Sequence, residues 1–356
     1  MNINFPLTIL AGSNARKKLA EQGWNPELFS TLVGASGGAK MLGIVHLDRF
    51  LFGDYLQRSQ HPMSLYGSSI GSWRHAALAA PDPLAAVTEL QERYLNQSWD
   101  EDDPRSAGEI VDGLCDWVMD GFCTEELKRY LCDHPRFSTH IIVARGRGLN
   151  GHPKGGRLGL GMGLSAMGNM FQRNWLSAGF QRVVFRAGTD QSFDFQDFDT
   201  EEVQLQPDNV RSALLASGSI PFLMSGQTNI PGAAPGHYWD GGIIDYHFDF
   251  VNYRHDGIAL YPHFSTSIIK GWFDKFLPKR VNEPELLENV VLLGPSDGYL
   301  ARLPYGKVPD RKDFSQLSKE DRVDYWHKAV AASQELADAF AQVVEDADPL
   351  ARVRAF

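Results

Sequence analysis

Two short apolar runs each lead straight into a glycine-rich turn and then a helix-like segment. This limits the chain's fold more than any other feature. Residues 29–33 (FSTLV) enter Gly34-Ala35-Ser36-Gly37-Gly38, and a helix is expected over about 39–56. Residues 63–66 enter Gly67-Ser68-Ser69-Ile70-Gly71, and the next helix runs to Ala80, where Pro81 and Pro83 break it. Strand, tight turn and helix in immediate succession point to an α/β layer architecture. The runs 139–144 (THIIVA), 182–186, 257–261 and 290–293 supply further strands.

Between them, residues 84–134 carry helical spacing such as Ile110, Leu114, Trp117 and Val118, which reads as a helical insert over about 82–136. Ser318 and Asp321 have capping-box spacing. The stripe Val323, Trp326, Val330, Ala337, Phe340 and Val344 then predicts one packing helix over about 318–346. No internal repeat or low-complexity linker interrupts the 356 residues, so one elaborated domain with a core over about 25–300 is expected.

The charge balance, 34 basic against 44 acidic residues, gives −10 and argues against nucleic-acid binding. Three cysteines without a C-x-x-C pair make neither a Cys-based zinc site nor a disulfide framework. A reducing, cytoplasmic setting follows, and the N-terminus lacks the basic region of a secretory signal. The longest run free of Asp, Glu, Lys and Arg, 212–239, contains Pro221, Pro231 and Pro235. It is therefore expected to line a buried cleft rather than to span a membrane.

Both turns fit G-x-S-x-G, so Ser36 and Ser69 compete as nucleophile. Ser36 has only one convincing strand before it, whereas an α/β-hydrolase elbow follows several. The alternative uses both turns. Gly37 and Gly38 open a helix, so their unpaired N–H groups suit a developing oxyanion, while Ser69 supplies the hydroxyl. The plainer alternative is a glycine turn or a phosphate cradle, although P-loop spacing is absent. A third element, Tyr238-Trp239-Asp240-Gly241-Gly242, directly follows the uncharged run. Read plainly, it is an Asx-type turn. A carboxylate walled by such residues would have a raised pKa and could take a serine proton without a histidine.

Taken in order, SGGAK, GSSIG, ALLASGSIPF and WDGG resemble the patatin-like phospholipases over roughly residues 29–245. The resemblance implies a three-layer α/β/α sandwich and a serine hydrolase acting on lipid acyl esters, without metal or other cofactor. It implies Ser69 as nucleophile and Asp240 as base, with Gly37 and Gly38 as oxyanion glycines and Lys40 as the basic residue of the same loop. The sequence departs from the family pattern at Ser36 and Met41, where glycines usually open and close that loop, and in DYHFDF after the DGG turn.

That departure raises a metal-dependent alternative. Asp245, His247 and Asp249 alternate, so on a strand they share one face, either as ligands or as an exposed polar face opposite Tyr246, Phe248 and Phe250. A Ser–Asp–His triad would need a later histidine, His263 or His327. An acyl-carrier transacylase resembles G-H-S-x-G at its elbow, and Ser68 stands at the histidine's place here. A catalytically silent lipid-binding protein is the remaining alternative. Residues 267–280 put Ile268, Ile269, Trp272, Phe273, Phe276 and Leu277 on one helical face with a charge of +3. They read as an interfacial helix for peripheral membrane contact, or as a helix packed on the core. Residues 157–171, with Met162, Met167 and Met170, read as a mobile lid or an ordinary Gly-rich segment.

Overall fold

The computed structural model describes residues 5–100, 102–277 and 279–356. Its strands are β1 (Leu7–Ala11), β2 (Phe29–Gly34), β3 (Met63–Ser68), β4 (Phe137–Gly146), β5 (Phe180–Ala187), β6 (Thr200–Gln204), β7 (Gln227–Thr228), β8 (His237–Asp240), β9 (Ile258–Pro262), β10 (Val290–Pro295) and β11 (Val353–Arg354). They join in one sheet of order β11-β1-β10-β9-β2-β3-β4-β5-β6, with β8 on β4 and β7 on β8. The run β10-β9-β2-β3-β4 is parallel throughout. β2 and β3 are buried at every position, as strands covered on both faces must be. Helices flank the mostly parallel sheet, and the fold is the three-layer α/β/α sandwich.

Register decides what meets what. β4 is ten residues long, and β5 lines one side of it from Thr139 to Gly146. On the other side β3 pairs only as far as Ser68 opposite Ile142. β8, antiparallel to β4, takes over that side with Asp240 opposite Val143. The C-terminal ends of β3 and β8 thus meet head-on at neighbouring positions of one strand.

The helices that follow the two turns are tied to each other underneath. Asp48, on helix Val45–Gly53, accepts two hydrogen bonds from Arg74, on helix Ile70–Leu78, at 2.6 and 2.7 Å, and both side chains are buried. Burial pushes the Asp48 carboxyl up, and the guanidinium offsets this only in part.

Several elements differ from expectation. The helix expected over 39–56 begins as a 3-10 turn, Gly38–Ile44, before Val45–Gly53. The residues read as an insert carry helices Pro83–Leu95, Ala107–Phe122 and Glu125–Cys132, capped by Asp82, by a Ser106–Glu109 box and by Thr124. The C-terminal stretch is two helices, Lys319–Ala332 and Gln334–Glu345. Ser333 sits at the break because its hydroxyl serves elsewhere: it accepts from the His46 N–H, at the start of helix Val45–Gly53, and donates to the Val330 carbonyl. Among the described residues no helix is long and apolar enough to cross a membrane.

Candidate active site

Ser69 is the residue between β3 and helix Ile70–Leu78, at φ 54° and ψ −130°. A non-glycine residue is strained there, and such strain persists only where the surroundings enforce it. Three contacts do so. The Ser69 N–H donates to Ser217 Oγ (2.9 Å), on helix Val210–Gly218, and Ser217 in turn donates to the Ile142 carbonyl of β4 (2.7 Å). Two residues on, the backbone crosses the first turn so closely that a Cβ on Gly71 would lie 2.0 Å from the Gly34 carbonyl oxygen. Only glycine fits that crossing.

Asp240 ends β8. Its N–H donates to the Ser219 carbonyl (2.7 Å), so helix Val210–Gly218 and the residue after it hold both members of the pair. Ser69 Oγ donates to Asp240 Oδ2 at 2.7 Å, and Asp240 Oδ1 accepts the Gly242 N–H at 2.7 Å. Ser69 is 7% exposed and Asp240 8%. Burial pushes the Asp240 pKa up to about 6, against the pull of the Ser69 hydroxyl, the Gly242 N–H and the charges of Lys275 and Arg311. This carboxylate is therefore basic enough to take a proton and ionised at neutral pH.

The glycine loop lies alongside. Gly38 takes φ +56°, and neither the Gly37 nor the Gly38 N–H finds an acceptor among the described residues. Ser36 anchors the loop: its N–H donates to the Tyr246 carbonyl (2.9 Å) and its hydroxyl to Ser68 Oγ (3.0 Å). Two ammonium groups rest on aromatic faces beside this loop. Lys40 Nζ lies 4.9 Å from the ring centre of Phe264, which packs on Gly37, and Lys275 Nζ lies 3.5 Å from that of Tyr246. Burial lowers the pKa of both, and for Lys275 burial of the ammonium, aided by Lys40 and Arg311, brings it to about 7.

A strand-to-helix elbow carrying a buried Ser–Asp contact, beside a glycine loop with free N–H groups, is the setting in which a family model matches. The Patatin-like phospholipase model covers residues 32–247, more than half of the chain. The chain belongs to the patatin-like phospholipase family. Membership places it among hydrolases of lipid esters. A comparison with curated protein sequences gives no match.

The patatin-like segment ends at residue 247, so Phe264, Lys275 and Arg311 come to the site from outside it. Sequence reading did not find Lys275 and Arg311 as neighbours of Asp240, because nothing local marks them. Nor did it assign Ser217 a role, although it stands inside the ALLASGSIPF motif.

The other candidates lie elsewhere or are otherwise engaged. Ser36 Oγ hydrogen-bonds to Ser68 and, among the described residues, to no acid or imidazole. His263 is buried, accepts the Ser265 N–H at Nδ1 (2.8 Å), and is held down to a pKa of about 3 by burial. It makes no hydrogen bond to Ser69 or Asp240. His327 is exposed on helix Lys319–Ala332.

Residues 245–249 are not a strand but a buried irregular segment with Phe248 at φ 65°. Asp245 accepts two bonds from Arg182 (2.7 and 2.9 Å), Asp249 lies 3.1 Å from Lys270 Nζ, and His247 Nδ1 accepts the Ile269 N–H (3.1 Å). The three residues weighed as ligands or as an exposed polar face are thus buried ion-pair and turn partners. Among the described residues no group of three or more His, Cys, Asp or Glu is placed to hold a metal ion.

Among the described residues of 267–280 the expected interfacial helix is likewise not formed. Trp272–Phe276 forms a 3-10 turn, because the buried Asp274 carboxylate accepts the Gly271 N–H (3.0 Å) and the Asn169 amide (2.8 Å). Ile268 and Phe273 are buried.

Proposed function

We propose that this protein hydrolyses carboxylic esters of lipids through a Ser69–Asp240 dyad and an acyl-enzyme. The observation that carries the reading is the 2.7 Å hydrogen bond from a strained, buried serine to a carboxylate made more basic by burial. Ser69 Oγ attacks the ester carbonyl carbon as Asp240 Oδ2 takes its proton. The N–H groups of Gly37 and Gly38 stabilise the oxyanion, a term worth about 3–4 kcal/mol where single donors have been removed from such sites. Collapse breaks the carbon–oxygen bond, and the leaving alkoxide takes the proton back from Asp240. A water molecule, deprotonated by Asp240, then attacks the acyl carbon; the bond to Ser69 Oγ breaks, Ser69 takes the proton back from Asp240, and the fatty acid leaves.

A fluorophosphonate should add once to the intact protein, with the adduct mapping to Ser69. The labelling rate should rise with pH through about 6 as Asp240 ionises. An adduct on Ser36, or none with a lipid ester still hydrolysed, would overturn the assignment.

The cations outside the family segment make a second expectation. Lys275 stabilises the ionised form of Asp240 across the site. Lys275→Met should therefore move the acid limb of the kcat/KM profile to higher pH while leaving the plateau chemistry in place. A limb that stays where it is would show that Lys275 does not act on Asp240.

A further inference from the structure

Helix Gly156–Phe171 has two apolar faces, which an ordinary surface helix does not. Its inner face buries Leu158 and Met162 in a small core with Trp239, Ile243 and Ile244, the residues that bracket the Asp240 turn. Its outer face presents Leu160, Leu164, Met167 and Phe171, spaced by four, three and four residues along one stripe and 59, 49, 52 and 74% exposed. Trp175 extends the stripe, 56% exposed with its ring centre 6.1 Å from that of Phe171. Phe276, 77% exposed, joins from the neighbouring turn, which the Asn169–Asp274 bond and an Arg280 bond to the Met170 carbonyl (3.2 Å) tie to this helix. Scattered exposed apolar residues are ordinary, but a continuous stripe of this size marks a contact surface.

Charge selects the occupant. The chain as a whole carries −10, yet residues 148–181 contain no Asp or Glu. Lys154 and Arg157 stand exposed at the start of the helix and Lys279 beyond Phe276, and none of them forms an ion pair among the described residues. A second copy docked on this face through a two-fold axis would bring the same cations against a helix that offers no counter-charge. A bilayer with anionic headgroups supplies both the counter-charge and the apolar medium.

We propose that the face formed by helix Gly156–Phe171, Trp175 and Phe276 docks on an anionic lipid surface. Within residues 267–280, Phe276 and Lys279 take part in this contact, although the segment is not the helix expected there. Docking would set the bilayer against the element that walls the Asp240 turn. The proposal does not depend on the dyad chemistry.

Co-sedimentation of the whole protein with vesicles of phosphatidylcholine, with and without phosphatidylglycerol, tests it. Binding should require phosphatidylglycerol and weaken with added salt. Phe171→Glu and Leu164→Glu should each lower binding about tenfold, as expected for a charge set into an apolar contact. Leu84→Glu, at an exposed leucine elsewhere, should leave binding unchanged. Turnover of a water-soluble short-chain ester should be the same in all three variants and the parent, so a catalytic failure is read separately. Equal binding by parent and Phe171→Glu, equal binding to both vesicles, or no binding by the parent would each overturn the proposal. So would a parent dimer that Phe171→Glu converts to monomer, which would make the face a contact between copies.

Discussion

Asp240→Asn and Ser69→Ala are each expected to cut kcat/KM for an ester substrate by about 10³–10⁴-fold or more, the scale seen when one member of a cooperating catalytic unit is removed. The alanine removes the hydroxyl that the proposed dyad uses to form the acyl-enzyme. The asparagine is the sharper test, because it preserves shape. Its oxygen can still accept the Gly242 N–H, now made by Asp240 Oδ1, while its amide nitrogen faces Ser69 Oγ and can donate but not take a proton. The parent kcat/KM should rise with pH through about 6 and then level off, and the residual rate of Asp240→Asn should lack that limb.

Stability should move the other way. A carboxyl raised from 3.8 to about 6 on folding favours the protonated form in the native state. Its contribution to stability is complete below the unfolded value and is lost as pH rises through about 6. Near neutral pH the ionised Asp240 thus costs up to about 3 kcal/mol, which asparagine avoids. The variant should be inactive yet at least as stable as the parent above pH ~7, with the difference vanishing in acid. The dyad reading fails if Asp240→Asn keeps parental activity and His263→Ala loses it.

The turns that carry the proposed dyad were legible because each is written locally: an apolar strand, glycines at crossings that exclude a Cβ, then a helix. SGGAK, GSSIG and WDGG need no distant partner to be seen, and the 2.7 Å Ser69–Asp240 contact joins two of them. What joins them was not legible. β8 is only four residues, HYWD, and exists because the end of β4 outruns β3 and leaves a free edge. That is a fact of register between segments about a hundred residues apart. β1 (LTILA) was passed over for the same reason, since its pairing partner β10 lies at the far end of the chain.

The alternation of Asp245, His247 and Asp249 misled because a two-residue period describes a strand only where a ladder is present to receive it. Here Arg182, buried in β5, takes Asp245 instead, and the segment bends. The single C-terminal helix misled in the same way: the apolar stripe continues through Ser333, but the bond from the His46 N–H belongs to another helix. Sequence patterns thus recovered elements whose signals are local, and missed those fixed by a partner brought in by the fold.

The largest stability effect is expected from the ion pair beneath the two turns. Arg74→Met should cost about 3–5 kcal/mol in chemical denaturation, because it leaves the Asp48 carboxylate buried without its cation. The deficit should shrink as pH falls. Burial already raises the Asp48 pKa against the pull of Arg74, and without Arg74 the carboxyl takes a proton more readily, which removes the uncompensated charge. The double variant Asp48→Leu/Arg74→Met should recover most of the lost stability, since apolar replacement of a buried pair is often neutral.

Activity should not recover with it. The pair joins the helix that leaves the Gly37–Gly38 loop to the helix that leaves Ser69, and its two bonds fix their relative position. Apolar contacts restore burial without that direction, so on the proposed mechanism the Gly37 and Gly38 N–H groups and Ser69 lose their alignment even in a well-folded protein. A stable double variant with reduced kcat and an unchanged acid limb is the expected result. Full activity in that variant would show that the crossing of Gly71 over Gly34 holds the two turns in place without help from the ion pair.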